Sequence, residues 1–204
     1  MPDVKTLGHR ARQALATRRA VAASARRLFA EQGYTATTIE AISAAARIPV
    51  QTIYSAFGSK RAILEEVRVA WIEESDVAAL HAAAMATPDP RRRVRAAAHW
   101  TRRQFELGHD VIAAYQEASR VDEEAAWVWR GALRGREEAL RPLVDSLGGI
   151  LRPELSAPRA LDVYIALTLP ELYRSLVHER GWTPDEYERW LADCLYRELV
   201  PDGD

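Results

Sequence analysis

Two short helical segments separated by a proline turn constrain this chain more than any other feature. Thr37 followed by Glu40 has the spacing of a capping box, and it predicts a helix that starts at Thr38. This helix must end before Pro49, because the residues that precede a proline avoid the α-helical region. Pro49 suits the first turn of a second helix, which Gly58 ends. The sequence therefore predicts two short helices joined by a tight turn.

Longer helical segments flank this pair. A segment from about Ala16 to Gln32 carries apolar residues on one face, and Gly33 follows it as a stop signal. Ser59 is expected to cap another helix that continues to about Met85. Helices of about eight residues are unstable alone, so the short pair must pack against the first helix. The predicted contacts join Phe29 to Ile39, Ile42, Ile48, Ile53 and Phe57. This arrangement is typical of a helix-turn-helix.

The rest of the chain also has the apolar spacing of helices. Gly108 is expected to end one of them, whereas Pro170 is expected to lie inside another. A capping box from Thr183 to Glu186 predicts the start of the last helix. The helices predicted after residue 87 span about 90–107, 110–120, 123–147, 158–180 and 183–199. We therefore expect an all-α fold of about nine helices, with an N-terminal three-helix helix-turn-helix domain and a C-terminal helical domain.

The charges are divided unevenly along the chain. Residues 1–66 carry ten Lys or Arg and five Asp or Glu, whereas the remainder carries 18 and 24. A basic first third indicates that this part meets a polyanion, although chance unevenness is an open alternative. No apolar run is long enough to span a membrane. Cys194 is the single cysteine, which excludes an intramolecular disulfide and fits a cytoplasmic protein.

Several short motifs near the N-terminus resemble a known family. They are Gly33-Tyr34, Thr37-Thr38-Ile39, Thr52-Ile53-Tyr54, Phe57 and Lys60. On these motifs, residues 17–67 resemble the DNA-binding domain of the TetR family of bacterial transcriptional regulators. Arg47 and Pro49 depart from the family, which commonly has glycine and then serine in the turn. We expect Arg47 to accept the backbone that the turn demands, with a positive φ.

This resemblance implies a ligand-responsive transcriptional regulator that binds double-stranded DNA as a homodimer. Repression by blocking polymerase is the family default, and we expect a repressor that a small apolar or aromatic effector releases from its operator. The expected organisation is a flexible N-terminal arm (1–16), a DNA-binding domain (17–66) and an effector-binding and dimerisation domain (67–204). The helix from Ser59 to about Met85 is the expected lever between the two domains.

The second helix of the motif is the predicted recognition helix. Gln51 can bond an adenine in bidentate fashion, Val50 can touch a thymine methyl group, and Ser55 lies on the same outward side. Arg47, in the turn, is expected to contact a phosphate or a base edge. The predicted phosphate contacts are Thr37, Thr52, Tyr54 and Lys60. The alternative for each is a solvated surface side chain.

Two further sets of residues follow from the resemblance. The predicted dimer interface consists of Leu161, Ile165, Leu172, Leu176, Tyr187, Leu191 and Leu195. The alternative is that these residues pack inside one chain. The candidate effector site consists of His99, Trp100, Phe105, Tyr115, Trp127 and Tyr164. An apolar cavity with few polar groups is typical of small-molecule sites, but aromatic residues at helical spacing are more often core.

The sequence has no recognisable catalytic motif. The segment His178–Gly181 lacks the second histidine of a zinc-protease motif, and no serine-hydrolase elbow or paired-histidine metal pattern occurs. We therefore expect a protein that is not an enzyme and that uses no cofactor or metal. The alternative function is a helix-turn-helix DNA-binding protein without a small-molecule effector, controlled by a protein partner.

Overall fold

The computed structural model describes residues 8–201, and over that range every regular element is helical. The all-α prediction is thereby confirmed. The helices are α1 (His9–Gln32), α2 (Ile39–Ala46), α3 (Val50–Phe57), α4 (Lys60–Glu74), α5 (Val77–Ala86), α6 (Pro90–Ala118), α7 (Glu123–Asp145), α8 (Ala157–Leu167), α9 (Pro170–Tyr173) and α10 (Pro184–Leu199). After α9 the chain continues directly into a π-helical segment, Arg174–Glu179.

The chain divides into two compact units, each built from separate stretches of sequence. The first unit extends to Glu74 and also includes Asp110–Trp129. The second unit comprises Ser75–His109 and the residues from Arg130 onward. Helices α6 and α7 each contribute to both units, so the last turns of α6 belong with α1–α4.

The core of the first unit joins its first four helices. Helix α1 contacts α2 and α4, and α3 contacts both α2 and α4. The buried apolar residues of these helices include Val21, Ala25, Phe29, Ile39, Ile42, Ile53, Ile63, Leu64 and Val67. Ile48 and Phe57, which the sequence also assigned to this core, stay partly exposed. A helix as short as α3 places one side chain, Ile53, wholly inside.

The cap of α2 is Thr38, whereas the sequence predicted Thr37. The Thr38 hydroxyl accepts a hydrogen bond from the Ala41 backbone N–H at 3.1 Å. Thr37 is fully buried, and its hydroxyl donates to the Gly33 carbonyl at 2.8 Å. The Thr37 hydroxyl also accepts from the Gln32 side-chain amide at 3.2 Å, so both of its hydrogen bonds are made at the end of α1.

Helix α1 begins at His9, well before the predicted start near Ala16. The sequence from His9 to Ala20 contains no proline or glycine and is rich in alanine and arginine, which favour helix. The part of the predicted flexible arm from residue 9 onward is therefore helical. Residues 1–7 of that arm lie outside the described range.

The predicted helix from Ser59 to Met85 is two helices. Helix α4 ends at Glu74, and Asp76 adopts a left-handed conformation (φ 48°) before α5. Serine and aspartate have a low helix propensity, because their side chains hydrogen-bond to the nearby backbone in non-helical conformations. Aspartate also tolerates the left-handed region. The break therefore falls at Ser75 and Asp76, where two such residues are adjacent.

Two other helix boundaries differ from prediction. Helix α6 passes through Gly108, which was expected to end it. An interior glycine costs only about 1 kcal/mol, so favourable neighbours can carry a helix through it. Pro170 begins α9 instead of lying inside a longer helix. Proline has no N–H to donate within a helix and suits the first turn.

The core of the second unit is rich in aromatic residues. Helices α8 and α10 pack together, and α10 begins at the predicted capping box of Thr183 and Glu186. The fully buried large side chains of this unit include Phe105, Leu140, Leu143, Leu147, Tyr164, Tyr173, Tyr187 and Leu191. None of the helices between residues 8 and 201 has the length and apolar character needed to span a lipid bilayer.

Candidate nucleic-acid interface

Helix α3 presents a row of polar side chains to solvent. Ile53 is fully buried and anchors the helix, while Val50 is partly exposed. The exposed residues are Gln51, Thr52, Tyr54 and Ser55. The Tyr54 side chain is 46% exposed although it is large and aromatic. One buried anchor beneath a face of hydrogen-bonding groups is the arrangement that a helix needs to lie in a DNA groove.

The turn before α3 is closed by its own hydrogen bonds. The Ser43 hydroxyl donates to the Ile48 carbonyl at 2.6 Å, and the Ile48 N–H donates to the Ser43 carbonyl at 3.1 Å. Arg47 has a positive φ of 57°, as the sequence predicted, and its side chain is exposed. The turn therefore presents a cation beside the start of α3.

The other end of α3 is held by Arg18 of α1. The Arg18 guanidinium donates to the Ala56 carbonyl at 2.7 Å and lies 4.4 Å from the centre of the Phe57 ring. Its Nε also donates to the Glu66 carboxylate at 3.0 Å. A cation near the last carbonyls of a helix is favourable, because those carbonyls carry partial negative charge. Arg18 thus fixes α3 against α1 and α4.

Lys60 bonds inside the unit, whereas the sequence predicted a phosphate contact. Its ammonium donates to the carbonyls of Tyr34 at 2.8 Å, Thr37 at 2.9 Å and Thr35 at 3.4 Å. The ammonium also lies 4.3 Å from the centre of the Tyr34 ring. Partial burial lowers the pKa of Lys60. The ammonium therefore holds the loop between α1 and α2.

Thr37 also differs from its predicted place at the surface. Its side chain is fully buried, and its hydroxyl donates to the Gly33 carbonyl at the other end of the same loop. Thr38 is exposed at the start of α2, so the threonine available to solvent there is the cap.

Glu117, near the end of α6, is a contributor that the sequence did not reveal. Its carboxylate accepts hydrogen bonds from the backbone N–H groups of Tyr34 at 2.8 Å and Thr35 at 2.9 Å. Hydrogen bonds from Thr35, through its side chain and its backbone, and from Tyr34 hold the pKa of Glu117 below its ordinary value, although partial burial opposes them. A single glutamate on a helix carries no sequence signal for such a contact.

Further polar contacts join residues 110–129 to α1 and α4. The Arg26 guanidinium donates to both carboxylate oxygens of Asp110, at 2.6 and 2.9 Å. The Tyr115 hydroxyl donates to Glu65 at 2.7 Å, and burial raises the pKa of that tyrosine. The last segment of α6 is therefore part of the unit that presents α3.

The six candidate effector residues are divided between the two units. Tyr115 and Trp127 belong to the first unit, and Trp127 is 65% exposed. His99 lies partly exposed, with its Nδ1 3.0 Å from the Glu188 carboxylate. The three that are buried in the second unit are Trp100, Phe105 and Tyr164. Among residues 8–201, no group of three His, Cys, Asp or Glu side chains is placed to hold a metal ion.

The predicted dimer residues fall into two groups. Four of them are buried within the single chain, namely Leu161, Tyr187, Leu191 and Leu195. Ile165, Leu172 and Leu176 keep part of their surface exposed, and Leu169 beside them is 43% exposed. The predicted dimer residues therefore pack partly in the core of the chain, and they also leave apolar surface on α8, α9 and the π-helical segment.

Comparison with known proteins agrees with this geometry. Residues 21–67 match the family model described as bacterial regulatory proteins, tetR family. No curated protein matches the chain by sequence.

Solved structures of bacterial regulators share the fold of the whole chain. The fatty acid degradation regulator FadR from Bacillus halodurans has a TM-score of 0.72 at 17% identity, covering 89% of this chain and 95% of its own. NalD, the secondary repressor of the MexAB-OprM multidrug efflux pump in Pseudomonas aeruginosa, has a TM-score of 0.67 at 19% identity, with coverages of 93% and 100%. PfmR, a TetR-family transcriptional regulator from Thermus thermophilus, has a TM-score of 0.64 at 22% identity, with coverages of 89% and 99%.

At these identities the similarity to solved structures establishes the fold, and the family model assigns the N-terminal segment. Residues 21–67 thus match the model of the tetR family of bacterial regulatory proteins, and over about nine-tenths of its length the chain shares the fold of a solved TetR-family transcriptional regulator.

Proposed function

We propose that this chain is a transcriptional regulator that binds double-stranded DNA as a homodimer and leaves it when a small molecule binds. The observation that carries the proposal is the exposed polar face of α3 above the buried Ile53, within a segment that matches the tetR family. A helix of this kind fits the major groove, which is about 12 Å wide. A regulator of chromosomal DNA would act in the cytoplasm.

The roles on α3 follow from side-chain chemistry. Gln51 would read a base through its amide, and Val50 and Ser55 would approach neighbouring base edges. Thr52 and Tyr54 would bind phosphates, as would the start of α2 around Thr38, where free N–H groups favour an anion. Arg47 would add a cation beside the same sugar–phosphate backbone of the DNA. Thr37 and Lys60 are left out of this contact set, because both are engaged inside the unit.

A homodimer is proposed because one α3 covers only half of a site. Two recognition helices must lie about 34 Å apart, or a multiple of it, to enter successive major-groove faces. The partly exposed Ile165, Leu172 and Leu176, with Leu169, offer an apolar face for the second copy. Tyr187, Leu191 and Leu195 would support that face from within the chain.

Control by an effector is proposed through α6. This helix starts in the second unit, and its last turns belong to the first, where Glu117 holds the loop before α2. A ligand that binds one arrangement of the chain better than another shifts the population toward it. We expect a small apolar or aromatic effector in the second unit to lower DNA affinity, so that a protein acting as a repressor would be released from its operator. The break at Asp76 makes α4 a poorer lever than the sequence indicated.

Selection from a pool of random DNA duplexes tests this function. We expect the pool to converge on an inverted repeat whose half-site centres are about 10 base pairs apart or a multiple of that. Retention of all duplexes alike would contradict sequence-specific regulation. The alternative is a DNA-binding protein controlled by a protein partner, and it predicts the same inverted repeat with no saturable small-molecule site.

A further inference from the structure

The second unit contains a partly exposed arginine that has no carboxylate partner. The Arg136 Nη2 atom, on α7, donates to the Thr168 carbonyl at 2.8 Å and to the Thr168 hydroxyl at 2.6 Å. Within the range 8–201, no carboxylate lies at ion-pair distance from Arg136, and no hydrogen-bond acceptor meets its Nε or Nη1. Arg136 keeps part of its surface accessible, and desolvation by the surrounding protein lowers its pKa. A partly desolvated charge without a partner is unfavourable.

The position of Thr168 at a helix end compensates part of the positive charge of Arg136. Thr168 follows the last residue of α8, and the carbonyls at a helix end carry a partial negative charge of about half an electron. One guanidinium nitrogen suffices for both of its contacts to Thr168. The other two nitrogens and the rest of the positive charge remain unmatched. A purely structural role therefore explains only one edge of the guanidinium.

A series of adjacent aromatic rings leads from Arg136 to an unpaired tyrosine hydroxyl. Its Cζ atom lies 5.8 Å from the centre of the Phe105 ring, and that ring is 5.6 Å from the ring of Tyr173. The Tyr173 ring is in turn 4.9 Å from the ring of Tyr187. The Tyr187 hydroxyl is buried and has no hydrogen-bond partner within the described residues.

A second unpaired donor, on α6, is linked through His81 to the next turn of α7. The Ala139 carbonyl is 3.1 Å from the Nε2 atom of His81, and the ring of His81 is 4.9 Å from the ring of Trp100. The Trp100 indole N–H is buried, and it has no partner in the described part of the chain. The unmatched groups are thus guanidinium N–H, tyrosine O–H and indole N–H groups, all of which can donate a hydrogen bond.

We propose that Arg136 is the anion anchor of a small-molecule site in the second unit, and that the effector carries a carboxylate on an apolar or aromatic body. The proposal rests on the proposed function and adds the chemical class of its effector. A carboxylate offers two coplanar oxygens that match the free Nε and Nη1 edge of the guanidinium. Phe105 and Tyr173 would contact the apolar body, and the Trp100 and Tyr187 donors would meet its remaining acceptors.

Matched pairs of acids and primary amides test this class directly. Octanoate with octanamide, 3-phenylpropionate with 3-phenylpropanamide, and indole-3-acetate with indole-3-acetamide are titrated into the full-length protein by calorimetry. We expect at least one acid to bind saturably and its amide to bind about 30-fold more weakly, because the charge pair with Arg136 is lost. Arg136→Gln should abolish the preference. Equal binding of acid and amide, or no binding by any acid, would overturn the proposal.

Thermal unfolding separates an anchor from a structural arginine. Without any acid, Arg136→Met should unfold at a temperature no lower than that of the wild type, because the substitution removes a partly desolvated charge that has no partner. Arg102→Met is the matched control and should lower that temperature, since Arg102 pairs with Glu106, Asp185 and Glu188. A bound acid should stabilise the wild type but not Arg136→Met. A marked loss of stability in Arg136→Met would assign Arg136 a structural role instead.

DNA binding is measured on the same preparations, by fluorescence anisotropy with the selected duplex. Both proposals predict that the acid weakens the binding of this duplex by the wild type and not by Arg136→Gln. If the acid binds but DNA affinity is unchanged, the anion site stands and control through it is wrong. If DNA binds and responds to a neutral ligand only, the regulator stands and the anion anchor is wrong.

Discussion

The ammonium of Lys60 and the carboxylate of Glu117 hold the same short loop, the one by its carbonyls and the other by its N–H groups. Lys60 donates to the carbonyls of Tyr34 and Thr37, and Glu117 accepts from the N–H groups of Tyr34 and Thr35. This loop leads directly into α2. The two opposite charges therefore set the position of the helix that precedes the recognition helix.

Replacing Lys60 by methionine should weaken the fold of the first unit without removing a phosphate contact. We expect a loss of about 1.5–3 kcal/mol in unfolding free energy, the usual value of hydrogen bonds to a charged group. The DNA affinity should fall, but the dependence of the affinity on salt should keep its slope, because the ammonium is already bonded internally. Salt titrations of Lys60→Met and wild type check this. A slope reduced by about one ion per half-site would instead show that Lys60 contacts a phosphate, as the sequence predicted.

Replacing Glu117 by glutamine should reduce stability in a pH-dependent way. The folded-state pKa of Glu117 lies below its unfolded value, so its contribution is present above about pH 4.3 and is lost as the pH falls through the folded pKa. We expect a difference of about 1 kcal/mol from wild type at pH 7, since charged hydrogen bonds are stronger than neutral ones. Urea unfolding between pH 3 and 7 measures it. A difference that grows toward pH 3 would contradict this assignment.

Arg47 should affect stability and DNA binding in opposite directions. Arg47→Gly should raise the unfolding free energy by about 1 kcal/mol, because a left-handed backbone is unfavourable for residues with a Cβ atom. The same variant should weaken binding to all duplexes and reduce the salt slope by about one ion per half-site. Arg47→Ala is the control, which loses the cation without the backbone gain. Arg159→Ala, an exposed cation of the second unit, should change neither property.

A charge placed on the dimer face should leave the fold intact but prevent dimer formation. Leu172 is partly exposed, so Leu172→Glu should give monomers that keep their helicity. Leu191 is fully buried inside the chain, so Leu191→Glu should unfold it by placing an unpaired charge in the core. Light scattering with circular dichroism distinguishes the outcomes. A dimeric Leu172→Glu protein would exclude this face as the interface.

Local signals in the sequence were sufficient for the short helices of the motif. Gly33, Pro49 and Gly58 fix the ends of α1–α3 through backbone preferences that depend on one or two residues. The capping box of α10 is equally local, because both partners lie within one turn. The end of α1, both ends of α2 and α3, and the start of α10 were predicted to within a few residues.

Long-range pairings were not accessible in the same way. Glu117 lies more than 80 residues from the loop that it binds, and nothing in its surroundings distinguishes it from a solvated glutamate. Lys60 was assigned to a phosphate because its internal acceptors are backbone carbonyls, which leave no mark in the sequence. The unpaired guanidinium of Arg136 likewise becomes apparent only when its neighbours are known to lack a carboxylate.

The base preference of Gln51 variants tests the account most directly. Selection from random duplexes is repeated with Gln51→Ala and with Arg159→Ala as the control. We predict that Gln51→Ala loses the preference for an adenine at one position of each half-site, at a cost of about 1–3 kcal/mol, and keeps the other positions. Arg159→Ala should select the wild-type sequence. If Gln51→Ala selects the same bases as wild type at every position, α3 does not read DNA as described.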